Sequence, residues 1–327
     1  MGRKIDIRWP ELDITVVAEL ADETNPELCE EFWQHLPFKV LQAHPVVSGE
    51  SVYAWTPIVS TAPVRHREQI MNCPVGRLRY SQATGNKFSV QYGRGLEPLA
   101  QPVLGMVLPE YHAQLPIVGK AIWENVFWRK ELLFVVVSQH GAKGQGAARS
   151  GGRGLPDVAR MFIEEAERIQ TVEPEDLRKV RLGQIGDTGT YGQYFTAWDF
   201  VNGMLRDYIM YTIFPLLRLA DKLGPKEISA SLDEFDPPYS EYLSYSGLVT
   251  LERFAKALRA AVREAKSAEE VKVLLRAFLR YGNRLCAWSY HYFPWYVGMF
   301  YGRQVNGQEL PGRWNPAAAA APAAAAE

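Results

Sequence analysis

Leu132–Ser138 reads L-L-F-V-V-V-S, Gly141–Gly154 reads G-A-K-G-Q-G-A-A-R-S-G-G-R-G, and Leu155–Gln170 reads L-P-D-V-A-R-M-F-I-E-E-A-E-R-I-Q. The first piece is a short apolar, β-branched run of strand length, the pattern of a strand buried on both faces. The third carries Val158, Met161, Phe162, Ala166 and Ile169 at helical spacing. The glycine-rich piece between them has neither period and reads as a flexible linker. The chain therefore changes character near residue 141, from β before it to α after it.

Upstream, strand-like runs cover Ile14–Leu20, Phe38–Val47, Ser51–Ile58, Leu78–Ser81, Phe88–Tyr92 and Val103–Leu108. Pro45 favours an edge or a bulge, because it has no N–H to give a ladder. Two helices interrupt the strands. Pro26–His35 follows Thr24-Asn25-Pro26, which offers an N-cap and a first-turn proline. Pro109–Trp123 is broken near Pro116. Many strands with helices at their ends suit a closed barrel, which has no free edge.

Downstream, five helices are expected: Leu155–Gln170, Pro174–Ile185, Gln193–Lys222 bent near Pro215, Leu248–Lys266 and Ala268–Tyr290. The fold class is α+β, with 1–140 a β-barrel, 141–154 a linker, 155–305 a helical bundle and 306–327 a low-complexity tail.

Composition narrows the function classes. Lys and Arg total 36 against 37 Asp and Glu, a net charge of -1, so nothing favours a nucleic-acid backbone. The longest apolar stretches fall far short of the ~20 residues of a membrane span. Met1–Asp13 has no apolar leader core, and the three cysteines (Cys29, Cys73, Cys286) are odd in number and widely spaced. Both features suggest a reducing cytoplasm. The six histidines show no paired ligand spacing, so no metal is expected.

Two motifs are decoys. Gly144-Gln145-Gly146 sits between a strand and a helix, but Arg149 occupies the third glycine position of a dinucleotide fingerprint. Ser48 lies in Val46-Val47-Ser48-Gly49-Glu50, which is a turn and not a G-x-S-x-G elbow. Trp288–Trp295 (WSYHYFPW) fits bundle core or a subunit contact better than a ligand stack. Whether the chain is a homo-oligomer stays open.

Asn25–Pro63 resembles the opening of a cyclophilin-like barrel: an extended strand, a short helix ending in Leu36-Pro37, then a strand carrying His44 and the Ser48-Gly49-Glu50 turn. Ser89–Gly93, Pro109–Trp123 and Leu132–Ser138 continue the pattern, and a helical bundle follows. That arrangement is similar to cucumopine and mikimopine synthases, over roughly residues 10–300. The resemblance implies a cyclophilin-like fold, no nicotinamide or other cofactor, and a Pictet–Spengler condensation of histidine with 2-oxoglutarate.

Such a reaction needs a neutral amine, a proton donor for the departing water, and a base for the ring proton. Its substrates, an amino acid and a 2-oxo acid, are anionic, so cations are expected in the pocket. His44 and Glu50 flank one turn and are candidate acid and base; the alternative for His44 is a hydrogen-bonded strand histidine. Tyr92 ends a strand beside Gly93-Arg94-Gly95, where Arg94 meets a carboxylate or simply decorates a turn. Glu124 is a second candidate base at a helix end, with Trp123 beside it and Lys120 one turn earlier. Arg65, with Arg67, lies in a loop that would cover the pocket, and Tyr191 would close it from the bundle. A competing reading is a cyclophilin-like module that binds a small acid or a peptide, with proline isomerisation as its enzymatic variant.

Overall fold

The computed structural model describes residues 2–45, 47–82, 85–142, 154–184 and 199–293. The linker between 143 and 153, the tail and Tyr191 lie outside them.

The first half is an antiparallel sheet of β1 (Lys4–Trp9), β2 (Ile14–Leu20), β3 (Phe38–Leu41), β4 (Gly49–Trp55), β5 (Arg67–Gln69), β6 (Arg77–Ser81), β7 (Lys87–Gly95), β8 (Ala100–Val107) and β9 (Phe134–Gln139). Its order is β3-β9-β1-β2-β8-β6-β7-β4, with β5 added to β8. The two ends of that path meet. Ala43, just past β3, exchanges both backbone hydrogen bonds with Tyr53 of β4, at 2.8 and 2.9 Å. The sheet therefore closes on itself.

Period-two alternation sorts its side chains. Val52 and Ala54 of β4, Leu78 and Tyr80 of β6, and Phe88 and Val90 of β7 point into the barrel, where α1 (Pro26–Gln34) adds Leu28 and Phe32 and α2 (Leu115–Glu124) adds Val118 and Ile122. The opposite set, Ser51, Tyr53 and Trp55 with Ser89 and Gln91, is buried as well. A second layer must therefore cover that outer face.

The second half supplies it. α3 (Asp157–Arg168) and α4 (Glu175–Arg181) come first. Asp199–Leu219 is one helical run in which π turns (Asp199–Met204, Tyr208–Ile213) alternate with α5 (Leu205–Asp207) and α6 (Phe214–Leu219). Long antiparallel helices α7 (Pro225–Tyr245), α8 (Val249–Glu264) and α9 (Ala268–Tyr292) complete the bundle. Their core cluster takes in Leu41, Ala43, Tyr53, Trp55 and Phe134 of the sheet. Polar ties fasten the seam: Arg284 Nη1 donates to Trp55 O at 3.2 Å, and Lys130 Nζ donates to His291 O at 2.9 Å.

The antiparallel sheet followed by a helical bundle agrees with the α+β expectation. Two local expectations change, and two elements appear that were not expected. β1 is a strand, with Ile5, Ile7 and Trp9 fully buried at alternate positions. The expected strand 38–47 ends at Leu41, because the chain must leave the ladder before Pro45. α7 runs through Pro237 and Pro238, in the stretch between Lys222 and Leu248 where no element was expected. Its inward residues Leu232, Asp236, Ser240 and Leu243 are fully buried, so tertiary packing overrides the prolines. Asn25 caps nothing. Its amide donates to His66 O and Val103 O (2.9 and 2.7 Å) and accepts from the backbone N–H groups of Arg65 and His66 (both 2.9 Å), which pins that loop to the barrel.

Candidate functional site at the barrel–bundle seam

A cavity of about 330 Å³ opens where the outer face of the sheet meets the bundle. The barrel contributes His44, Ser48, Tyr53, Lys87, Glu97 and Gln101, and the bundle contributes Arg206, Met210, Tyr211 and Tyr290. Seams between layers are common places for small-molecule sites.

The local fold explains who faces the cavity. Lys87 opens β7 directly opposite Trp55 of β4, and both project outward with Tyr53. The Lys87 ammonium lies 5.1 Å from both ring centroids. Gly49 adopts φ 93° at the β4 bulge, where a side chain would run into Arg94 O. This lets Ser48 O accept the Leu96 N–H at 3.0 Å, and Glu97 follows into the cavity, where the Ser48 hydroxyl donates to its Oε2. On the bundle side the π turn Tyr208–Ile213 carries Met210 and Tyr211, and α5 carries Arg206, paired with Asp207 at 2.7 Å. π turns are frequent at functional sites.

Electrostatically the cavity has one carboxylate, Glu97, and two cations, Lys87 and Arg206, among its described lining residues. Burial, with Arg206 adding to it, pulls the Lys87 ammonium down to about 8. Burial pushes the Tyr53 phenol well above its ordinary value, with Tyr290 adding to the rise. Gln101 Oε1 is buried with no partner among the described residues. No group of three or more His, Cys, Asp and Glu side chains among the described residues is arranged to hold a metal ion.

Of the residues singled out in the sequence, the structure brings His44, Tyr92 and Trp123 together. His44 Nε2 is 2.8 Å from the Tyr92 hydroxyl, and its ring packs edge-on to Trp123 with centroids 4.8 Å apart. Of the three only His44 lines the cavity. Burial drops its imidazole to about 3, so it is neutral at physiological pH and has no charge to lend as an acid.

The others stand elsewhere. Glu50 does not line the cavity, and its Oε2 accepts the Arg94 backbone N–H at 2.7 Å, so it braces the bulge. Arg94 itself is exposed, as is Lys120. Glu124 pairs with Arg129 at 3.1 Å, and Arg65 pairs with Glu27 on the surface. All five lie on turns, loops or the water-facing side of α2, away from the face that the bundle covers.

Sequence reasoning missed Lys87, Glu97, Gln101, Arg206 and Tyr290. A signal existed for Lys87. The outward positions of β4, β6 and β7 (Ser51, Tyr53, Trp55; Arg79, Ser81; Lys87, Ser89, Gln91) mix aromatic, cationic and amide groups, unlike the largely apolar inward set.

Residues 156–292 match the family described as the cucumopine synthase C-terminal helical bundle domain. Among solved structures the chain is similar to McbB, determined in complex with tryptophan, at 29% identity and a TM-score of 0.80, covering 91% of this chain and 99% of that one. A solution structure of a hypothetical protein from Archaeoglobus fulgidus aligns over 42% of this chain and 95% of its own, at 15% identity and a TM-score of 0.30, too low to carry an argument. No curated protein matches. The helical half of this chain is thus similar to the cucumopine synthase C-terminal helical bundle domain, and the chain as a whole shares its architecture with McbB.

Proposed function

We propose that this protein is a Pictet–Spengler-type condensing enzyme, joining an amino acid to a carbonyl substrate in the seam cavity. One observation carries the reading. A single carboxylate, Glu97, shares a partly enclosed cavity with two cations and several flat aromatic walls. The matched bundle domain and the similarity to a protein solved with tryptophan support it independently.

The chemistry assigns the roles. Arg206 holds a substrate carboxylate, since a guanidinium fork matches its two oxygens. Tyr53, Tyr211, Tyr290 and Met210 accept the amino acid's ring. The neutral amine attacks the carbonyl carbon, the hydroxyl leaves as water, and the ring carbon closes on the iminium. Glu97 takes the ring proton, oriented by the Ser48 hydroxyl. His44, uncharged and held by Tyr92, forms part of the wall and hydrogen-bonds substrate.

Histidine with 2-oxoglutarate is the pair suggested by the cucumopine domain. Tryptophan is the second reading, favoured by the McbB complex and by the apolar lining of Leu99, Met210 and Tyr211. The test mixes the protein with L-histidine or L-tryptophan and 2-oxoglutarate or pyruvate, without nicotinamide, and follows products by mass. A product equal to both substrates less one water supports the reading. No condensed product from any pair, or product formed only with NADPH, overturns it.

A further inference from the structure

We propose that Lys87 is a carbonyl-activating amine: its Nζ forms a Schiff base with the oxo substrate, and the amino-acid substrate then displaces it. This inference rests on the condensing function proposed above and adds a covalent step to it.

The argument starts from surroundings. Among the described residues no carboxylate forms an ion pair with Lys87, whereas Arg206 pairs with Asp207, and Lys256 and Lys272 pair with acids on the bundle surface. Its near neighbours are the faces of Tyr53 and Trp55, at 5.1 Å each. An aromatic face attracts the ammonium but offers no lone pair to tie up its hydrogens. Lys130 is the instructive contrast. Burial brings it to a similar value, about 8, but its Nζ donates to Val126 O and His291 O, and it lies off the seam cavity. Two carbonyl acceptors make a structural lysine, while two ring faces on a cavity wall leave an amine directed at a ligand.

The charged and titratable groups around Lys87 come from every side: Arg206 from the bundle, Arg79 from β6, Glu97 beyond β7 and the neutral Cys286 thiol from α9. Burial and the two arginines favour loss of the proton. At pH 7 an ordinary lysine is neutral in roughly one molecule in 2,500. With its ammonium near 8, Lys87 is neutral in about one in ten. A desolvated lysine beside another cation is a known way to make an amine nucleophilic.

The step balances. The Glu97 carboxylate takes the proton that the Lys87 ammonium gives up. Neutral Nζ adds to the carbonyl carbon and passes one of its own protons to the oxygen, and the carbinolamine hydroxyl leaves as water with the proton that Glu97 returns. The substrate amine adds to the resulting C=N carbon, a proton passes from the attacking nitrogen to Nζ, and the C–Nζ bond breaks. Lys87 returns as free amine, and the substrate iminium goes on to ring closure. The net reaction still releases one water.

The experiment is reductive trapping. Wild-type protein is incubated with 2-oxoglutarate or pyruvate and cyanoborohydride, then mapped by peptide mass. The expected adduct is the oxo acid less one oxygen, on Lys87. Lys87→Arg keeps the cation, loses the adduct, and lowers turnover by at least about 10²-fold, the usual worth of a positioned catalytic group. Condensed product from wild type without a Lys87 adduct, or a Lys87→Arg variant within about threefold of wild-type turnover against that expectation, overturns the inference and leaves condensation standing. A Lys87 adduct with no condensed product from any pair supports the amine and overturns the condensation instead.

Discussion

His44 Nε2 lies 2.8 Å from the hydroxyl of Tyr92, forty-eight residues away, in a contact closed off by Trp123. The pair sits where the barrel rim meets the cavity, and burial keeps the imidazole neutral down to about pH 3. The consequence for stability has a definite sign. The unfolded chain's histidine binds its proton near pH 6.5 while the folded one does not, so folding loses stability as pH falls below 6.5. At pH 4.5 the loss from His44 is about 2–3 kcal/mol. His291, buried and lowered to about 4, adds in the same direction. His44→Gln keeps a hydrogen-bonding partner for Tyr92 and never titrates. Melting curves from pH 7 to 4.5 should therefore fall less steeply for the variant than for wild type.

Glu97 and Glu50 offer a paired comparison of two carboxylates close in sequence space to the same bulge. Glu97→Gln should lower turnover by about 10²–10⁴-fold with little change in substrate binding, the usual effect of removing a proton acceptor. Glu50→Gln still accepts the Arg94 N–H and should keep turnover within about threefold of wild type, well short of that loss. Steady-state kinetics on both variants check this. Equal losses would move the base from Glu97 to the bulge.

Arg206 should govern affinity more than rate. Arg206→Leu removes the guanidinium from the cavity and leaves Glu97 and Lys87 in position. We expect KM for the carboxylate-bearing substrate to rise by about 10–100-fold, as for loss of one charge-assisted contact worth about 1.5–3 kcal/mol. Turnover at saturation should change far less.

Gly85 tests the seam itself. Its φ is 87°, and a Cβ there would collide with the Trp55 ring and with Met210 Sδ. Gly85→Ala should cost about 1–3 kcal/mol through strain and overpacking. Because Met210 lines the cavity and Trp55 stacks on Lys87, KM should rise as well. Thermal melts and kinetics on the one variant read both effects.

Asp236 anchors the bundle away from the site. It is fully buried on α7, where it accepts from the Tyr208 hydroxyl, from Ser240 Oγ at 3.2 Å and from Arg259. Asp236→Ala strands a mostly buried guanidinium and two hydroxyls. We expect a loss of about 3–5 kcal/mol, measured by chemical denaturation.

The division of the chain was legible in the sequence because hydrophobic period is a local property. V-V-V bounded by turns and Val158–Ile169 at spacings of three and four each report a burial pattern that needs no knowledge of the partner. The same rule finds β1 in retrospect, since Ile5, Ile7 and Trp9 alternate cleanly. It does not find α7, where Pro237 and Pro238 argue against a helix and only packing against α8 and the π turn holds one.

The candidate site was legible in part. His44, Tyr92 and Trp123 lie on short segments with unusual side chains, and they do converge. What the sequence by itself determined is the pair of layers and their order, because amphipathic period fixes which face of each element must be buried. What only the tertiary structure decided is which polar groups those layers enclose together. Lys87 and Arg206 are 119 positions apart, and each alone reads as a solvated cation. Docking the bundle on the outer face of β4 and β7 strips much of the water from both, and that desolvation turns two ordinary charges into a candidate site.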